Sequence, residues 1–154
     1  MRIAVIAVGR LKERFWRDAA EEYLKRLGPY ATVSVTEVDD RDSGRDAPRA
    51  LAEEGADILR VIPAGAHVIA LEIGGTQRSS EQFAARLAEL SLDGRSNVAF
   101  AIGGSVGLSA DVLARADERL SLGPMTLPHN LARVVLLEQI YRAFRINRGE
   151  PYHK

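Results

Sequence analysis

Residues Arg2 to Val8, RIAVIAV, are apolar at odd and even positions alike after the first. A strand with one wet face alternates polar and apolar side chains. An apolar run on both parities must be covered on both sides, as in a parallel sheet flanked by helices. The rest of the chain supplies those helices. From Leu11 to Leu27, Phe15, Trp16, Ala19, Ala20, Tyr23, Leu24 and Leu27 recur at helical spacing, and Gly28 with Pro29 ends the helix. Val33, Val35 and Val38 alternate with polar residues, the pattern of an edge strand. The charged segment DDRDSGRDAP that follows reads as a mobile loop. Pro48 restarts a helix to about Ile62, and HVIALEI is a buried strand ended by Gly74 and Gly75. Ser79 and Gln82 have capping-box spacing for a helix to about Leu90, and Asn97 to Ile102 is a further strand. The expectation is one α/β domain over residues 1–154, with a mostly parallel sheet and helices on both faces.

Composition excludes several chemistries. The chain has 154 residues, 46% of them apolar, enough to form a core without disulfides or metals. It has no cysteine, so thiol catalysis and Cys-based zinc sites are absent. His67, His129 and His153 lack the i, i+4 spacing of a helical metal site, and no metal is expected. The apolar run IAVIAV is too short to cross a membrane and has no signal-peptide pattern, which implies a cytoplasmic protein without a membrane partner. With 21 basic and 21 acidic residues and a pI near 6.8, any nucleic-acid contact must come from a local patch.

The chemistry gathers in the last third. The first strand is followed only by Gly9, Arg10 and Leu11, which makes a dinucleotide fingerprint weak. Glycines instead follow the Asn97 to Ile102 strand as Gly103, Gly104 and Gly107, where a parallel strand delivers its C-terminal end to a ligand crevice, and Ser109 is placed to cap the next helix. This motif alone fits a ligand loop and a plain tight turn about equally. LGPMTLPH, with Gly123, Pro124 and Pro128, forms a second constrained loop whose backbone groups have few regular partners and could pair with a base edge. As plain structure it is a rigid connector.

Asn130 is a plausible cap for a helix from about Leu131 to Asn147, whose broad apolar side holds Leu131, Val134, Leu137, Ile140, Tyr141 and Phe144, widened by Val135 and Leu136. That width points to a homodimer through this helix, against the alternative of a helix enclosed in its own domain. Glu138 and Arg142 stand i, i+4 on its polar stripe with Arg145. Residues 129–154 carry Arg133, Arg142, Arg145, Arg148 and Lys154 against Glu138 and Glu150, a net charge of plus three suited to phosphates. The tail EPYHK reads as frayed from composition, with ordering of Tyr152 and His153 on a substrate as the functional alternative.

Through AVGRLKE, FAIGGSVGL, MTLPH, RVVLLEQIYRAFRI and PYHK, in that order over essentially the whole length, the chain resembles the SPOUT methyltransferases, in particular the bacterial branch that modifies large-subunit ribosomal RNA. The resemblance implies a C-terminal trefoil knot, which sequence reasoning excludes by default. It also implies a homodimer, S-adenosyl-L-methionine as cofactor, and methylation of N3 of pseudouridine 1915 in helix 69 of 23S rRNA on the assembled ribosome. The cofactor positions it carries over are Leu71, Gly103, Leu122, Gly123, Pro124, Met125, Thr126 and Leu127. Gly123 and Pro124 depart from residues common in the family. The catalytic assignment is Arg142 for carbonyl charge, His153 for the N3 proton, Tyr152 for holding the base, Glu138 for orienting Arg142, and His129 as a weaker candidate. His67 is given a structural role. Two readings stand beside this one: a non-catalytic ribosome-binding or assembly factor, and a SPOUT enzyme for another RNA such as a transfer RNA.

Overall fold

The computed structural model describes residues 1–41, 44 and 46–153. Asp42, Ser43, Arg45 and Lys154, on which parts of the loop, patch and tail expectations fell, lie outside the described residues.

Five strands, β1 (Arg2–Val8), β2 (Thr32–Val38), β3 (His67–Gln77), β4 (Asn97–Ile102) and β5 (Glu118–Ser121), form one sheet in the order β2-β1-β4-β3-β5, and every pairing is parallel. β1 is central and buried from Ile3 onward, as its two-sided apolar pattern requires. β2 takes the edge that its alternation predicts.

The helices are α1 (Arg14–Leu27), α2 (Ala47–Val61), α3 (Ser80–Leu92), α4 (Ala110–Arg115) and α5 (His129–Asn147). One core joins Ile3, Val5, Phe100 and Ile102 of the sheet to Leu27, Leu87, Leu137 and Ile140 from α1, α3 and α5. The other joins Ile6, Val68 and Ala101 to Ile58 and Val112 from α2 and α4. Helices therefore cover both faces. The chain leaves β5 at one edge and returns in α5 to pack on α3 and α1, a path compatible with the implied trefoil knot.

Four boundaries differ from the sequence reading. α1 begins at Arg14, not Leu11, because Leu11 is buried in the preceding turn and its carbonyl, with that of Lys12, accepts from the Arg17 guanidinium. β3 does not stop at Gly74 and Gly75 but runs to Gln77 through a register shift between Leu71 and Thr76. A Cβ on Gly75 would stand 2.7 Å from the Arg119 backbone, so glycine lets β3 continue beside β5. α3 carries the expected Ser79–Gln82 capping box and ends at Leu92. α5 starts at His129 with Pro128 at its cap, so Asn130 lies inside the helix and its buried Oδ1 has no partner among the described residues.

Candidate active site

The parallel strands end at a common edge, and the two constrained loops meet there. Gly104 to Leu108, after β4, and Thr126 to His129, before α5, line opposite sides of one open cleft with Leu71 to Ile73 of β3. The cleft continues beneath the second loop, where Leu71, Ile102, Leu120, Leu122, Met125 and Leu127 give it apolar walls around an empty volume of about 540 Å³. That space includes open solvent, so the apolar lining, more than the size, marks it as a candidate ligand site. Gly123 takes φ +125°, a conformation strained for any residue with a Cβ, and its N–H donates to Ser121 Oγ at 3.1 Å. The N–H groups of Met125, Thr126 and Leu127, three residues on the cleft lining, donate to no other backbone group among the described residues.

Of the carried-over cofactor positions, Leu71, Leu122, Gly123, Met125, Thr126 and Leu127 line this cleft, whereas Gly103 and Pro124 do not. Gly103 has a packing reason instead: a Cβ there would stand 2.4 Å from the Gly107 carbonyl, so the turn closes only around glycine. Sequence reading missed Glu72 and Ile73, which line the cleft because β3 continues beyond Leu71.

The tail is not frayed within the described residues. It docks on the C-terminal half of α5. Tyr152 packs edge-on to Tyr141 with ring centroids 4.9 Å apart, and its hydroxyl donates to Glu138 Oε1 at 3.0 Å. The same carboxylate oxygen takes two N–H groups of Arg142, at 2.9 and 2.5 Å, and the guanidinium lies 4.7 Å from the centre of the Tyr152 ring. The hydrogen bonds that Arg142 donates to Glu138 raise its pKa, which keeps the guanidinium charged. Burial, reinforced by Glu138, pushes the Tyr152 phenol up to about 12.

Arg142 Nη1 lies 3.0 Å from His153 Nδ1, and His153 Nε2 lies 2.7 Å from Glu81 Oε1 at the start of α3. A guanidinium only donates, so Nδ1 accepts and the imidazole carries its proton on Nε2, directed at Glu81. His153 in turn holds the Glu81 carboxyl below its ordinary range. Spacing gave no hint of Glu81, which lies 72 residues away from His153.

Arg142, His153, Tyr152 and Glu138 therefore form one cluster, and His129 does not join it. His129 sits at the opposite end of α5, 13 residues from Arg142, a separation of ~20 Å at 1.5 Å per residue. His67 is buried at the N-terminal end of β3, 2.8 Å from Glu118 Oε1, away from the crevice. Burial raises the Glu118 pKa, but hydrogen bonds from Arg86 and His67 outweigh it and hold the carboxyl below its usual range.

The expected basic patch is corrected as well. The plus three of residues 129–154 already counts Glu138 and Glu150, which pair with Arg142 and Arg145; Arg133 is in addition buried and ion-paired to Glu37 of β2 at 2.6 Å, so the α5 arginines all have carboxylate partners. Among the described residues no group of three or more metal-ligating side chains is placed to hold an ion, and no helix is long and apolar enough to cross a membrane.

A parallel α/β sheet with an apolar cleft at the C-terminal ends of its strands belongs to the class of α/β proteins that bind small ligands at that edge. Comparison with known proteins makes this specific. Residues 1–153 match the family described as "Predicted SPOUT methyltransferase", and the chain belongs to the SPOUT methyltransferase family. The protein named ribosomal RNA large subunit methyltransferase H of Listeria monocytogenes serotype 4a (strain HCC23) is 54% identical to it over 100% of both chains. The protein of the same name from Carboxydothermus hydrogenoformans is 52% identical, again over 100% of both. Among solved structures, a probable methylase family protein from Haemophilus influenzae Rd KW20 matches with a TM-score of 0.56 at 15% identity, over 99% of this chain and 70% of that one. TrmJ from Z. mobilis ZM4 matches with 0.56 at 17% identity, over 100% and 73%. At such identities these structures speak for the fold alone.

Proposed function

We propose that this chain is an S-adenosylmethionine-dependent methyltransferase of large-subunit ribosomal RNA that acts on N3 of a pseudouridine, the one at position 1915 in helix 69, on the assembled ribosome in the cytoplasm. Full-length relatives at 52 to 54% identity bear the ribosomal RNA methyltransferase name, which supports the RNA class over a transfer RNA or a non-catalytic role. The observation that carries the chemistry is the convergence of Arg142, Glu138, Tyr152 and His153 on one face of α5.

The cleft fits the cofactor: apolar walls suit a purine and a thioether chain, and the free N–H groups of Met125 to Leu127 suit a heteroaromatic edge. When bound there, S-adenosylmethionine supplies an activated methyl group. The protein's residues supply the rest. Transfer to N3 requires loss of the N3 proton while charge spreads over the flanking carbonyls. Arg142, held charged by Glu138, faces that charge, Tyr152 holds the base, and His153 Nδ1 takes the proton once Arg142 turns from it to the substrate.

Cleft and cluster are well separated within one chain. Ala132 lines the cleft and Arg142 anchors the cluster, ten residues apart on α5 or ~15 Å. A homodimer in which the tail of one subunit meets the cleft of the other resolves that distance. Half-buried Leu131, Val134 and Val135 on α5, and exposed Met125, 81% accessible beside the cleft, fit a subunit contact. Incubating the protein with radiolabelled cofactor and either intact ribosomes, free subunits or transfer RNA tests the reading. Label in 23S rRNA of intact ribosomes is expected, and label confined to transfer RNA overturns the substrate.

A further inference from the structure

A neutral protein that modifies RNA needs a place where positive charge is not cancelled, and the arginines of α5 do not provide it. Uncompensated cations collect instead at the turn between β1 and α1. Arg10 and Lys12 have no carboxylate within ion-pair distance among the described residues. Among the described residues Arg17 donates only to the carbonyls of Leu11 at 3.1 Å and Lys12 at 2.5 Å, bonds that hold its guanidinium over the turn without neutralising it.

These three side chains line an open groove between α1, β2 and α5. Arg133 stands in its wall, 3% exposed, with its Nε unpartnered among the described residues. The acidic residues on the lining are Glu21 and Glu37, and Glu37 is already bound by Arg133. Four cations face two carboxylates there, so the groove has a positive excess that the chain as a whole lacks.

We infer that this groove binds the phosphodiester backbone of the RNA substrate through Arg10, Lys12 and Arg17, a contact that rests on the RNA reading above. Its position suits that role. Ala132 lines the methyl-donor cleft and Arg133 the groove, so the two cavities flank the first turns of α5 about one helix diameter apart, ~10 Å. Backbone phosphates fix register and orientation without reading sequence, and their neutralisation by Lys and Arg makes binding fall steeply with salt.

Fluorescence anisotropy of the full chain with a labelled helix 69 RNA hairpin, and with a scrambled hairpin, from 50 to 300 mM salt tests this. The double reversal Arg10→Glu/Lys12→Glu is expected to weaken both hairpins about tenfold or more near 0.1 M salt and to flatten the log–log salt slope by about 1.5 to 2. Calorimetric affinity for S-adenosylmethionine, and mass by light scattering, should match the parent. An unchanged slope, or absence of hairpin binding by the parent, overturns the inference. So does a changed oligomeric state, which would make the groove a contact between copies of this chain. Methylation of ribosomes with an unchanged slope leaves the enzyme reading standing and removes the groove, whereas groove-dependent binding without methylation does the reverse.

Discussion

Gly55 sits in the interior of α2, where exchange of glycine for alanine ordinarily stabilises by about 1 kcal/mol. The structure reverses that sign. A Cβ on Gly55 would stand 2.1 Å from Ser109 Oγ and 2.8 Å from Ser109 Cβ. Ser109 is buried and cannot swing into solvent, and its Oγ caps α4 by accepting from the Val112 N–H at 3.3 Å. Gly55→Ala must therefore displace the cap, at about 1 kcal/mol, and overpack the α2–α4 contact, at about 1 to 3 kcal/mol. Against the propensity gain, the net expectation is a loss of about 1 to 3 kcal/mol, or roughly 2 to 10 °C in melting temperature for a chain of this size. Urea and thermal melts at one fixed protein concentration measure it, since a dimer would make the midpoint concentration-dependent. Adding Ser109→Gly opens the space, so the double variant should be more stable than the sum of the single effects. A Gly55→Ala protein as stable as the parent, or additivity in the double variant, would refute the packing argument.

Arg142→Ala and His153→Ala are each expected to lower single-turnover methylation by about 10² to 10³-fold while leaving calorimetric cofactor affinity nearly unchanged, and a parallel loss of affinity would show that the cluster shapes the cleft instead. Tyr152, with its phenol pushed up to about 12, should add an ionisation step above the ordinary tyrosine value near 10 in an absorbance titration at 295 nm, a step that Tyr152→Phe removes. Because the folded value is raised, its stabilising contribution is present below the ordinary tyrosine value near 10 and is lost as pH rises through about 12; Tyr152→Phe should remove that part of the alkaline loss of stability, and identical profiles would count against it. Mixing Arg142→Ala chains with chains blocked in the cleft by Ala132→Trp should restore part of the activity if each site combines two subunits, and no restoration after subunit exchange would argue for sites complete in one chain.

The sheet was legible because its signals are local. Two-sided apolarity in Arg2–Val8, alternation in Val33 to Val38 and the Ser79–Gln82 box each report on a short stretch of backbone, and each holds. Boundaries failed where tertiary and side-chain-to-backbone contacts decide them: Arg17 binds back to the turn before α1, and Arg119, far away in sequence, passes close enough to Gly75 to carry β3 onward. The same distinction governs the site. Glu138 with Arg142 is an i, i+4 pair that any helical reading finds, whereas Glu81 meets His153 only through the packing of α3 on α5. Counting charges from residue 129 onward overstated the positive excess by one because the partner of Arg133, Glu37, lies on β2. Net charge by segment cannot register a partner that comes from another segment.

The docked tail bears on how such a site is kept ready. Every group that the proposed chemistry uses already has a partner within the chain: Arg142 has Glu138 and His153, Tyr152 has Glu138, and the His153 ring proton has Glu81. A base that enters exchanges these hydrogen bonds for new ones instead of creating them from water, so bonds to charged groups, each worth about 1.5 to 3 kcal/mol, are replaced and not simply lost. The apolar hold on the tail is chiefly Tyr152 on Tyr141, an aromatic contact worth about 0.5 to 1.5 kcal/mol beyond its burial. Opening is thus inexpensive compared with ordering a disordered tail, for which each residue's backbone alone carries about 1 to 2 kcal/mol. Glu138 is the member whose removal should be felt twice. It orients Arg142 and accepts from Tyr152 through one oxygen, so its loss frees both from the arrangement that presents them to substrate.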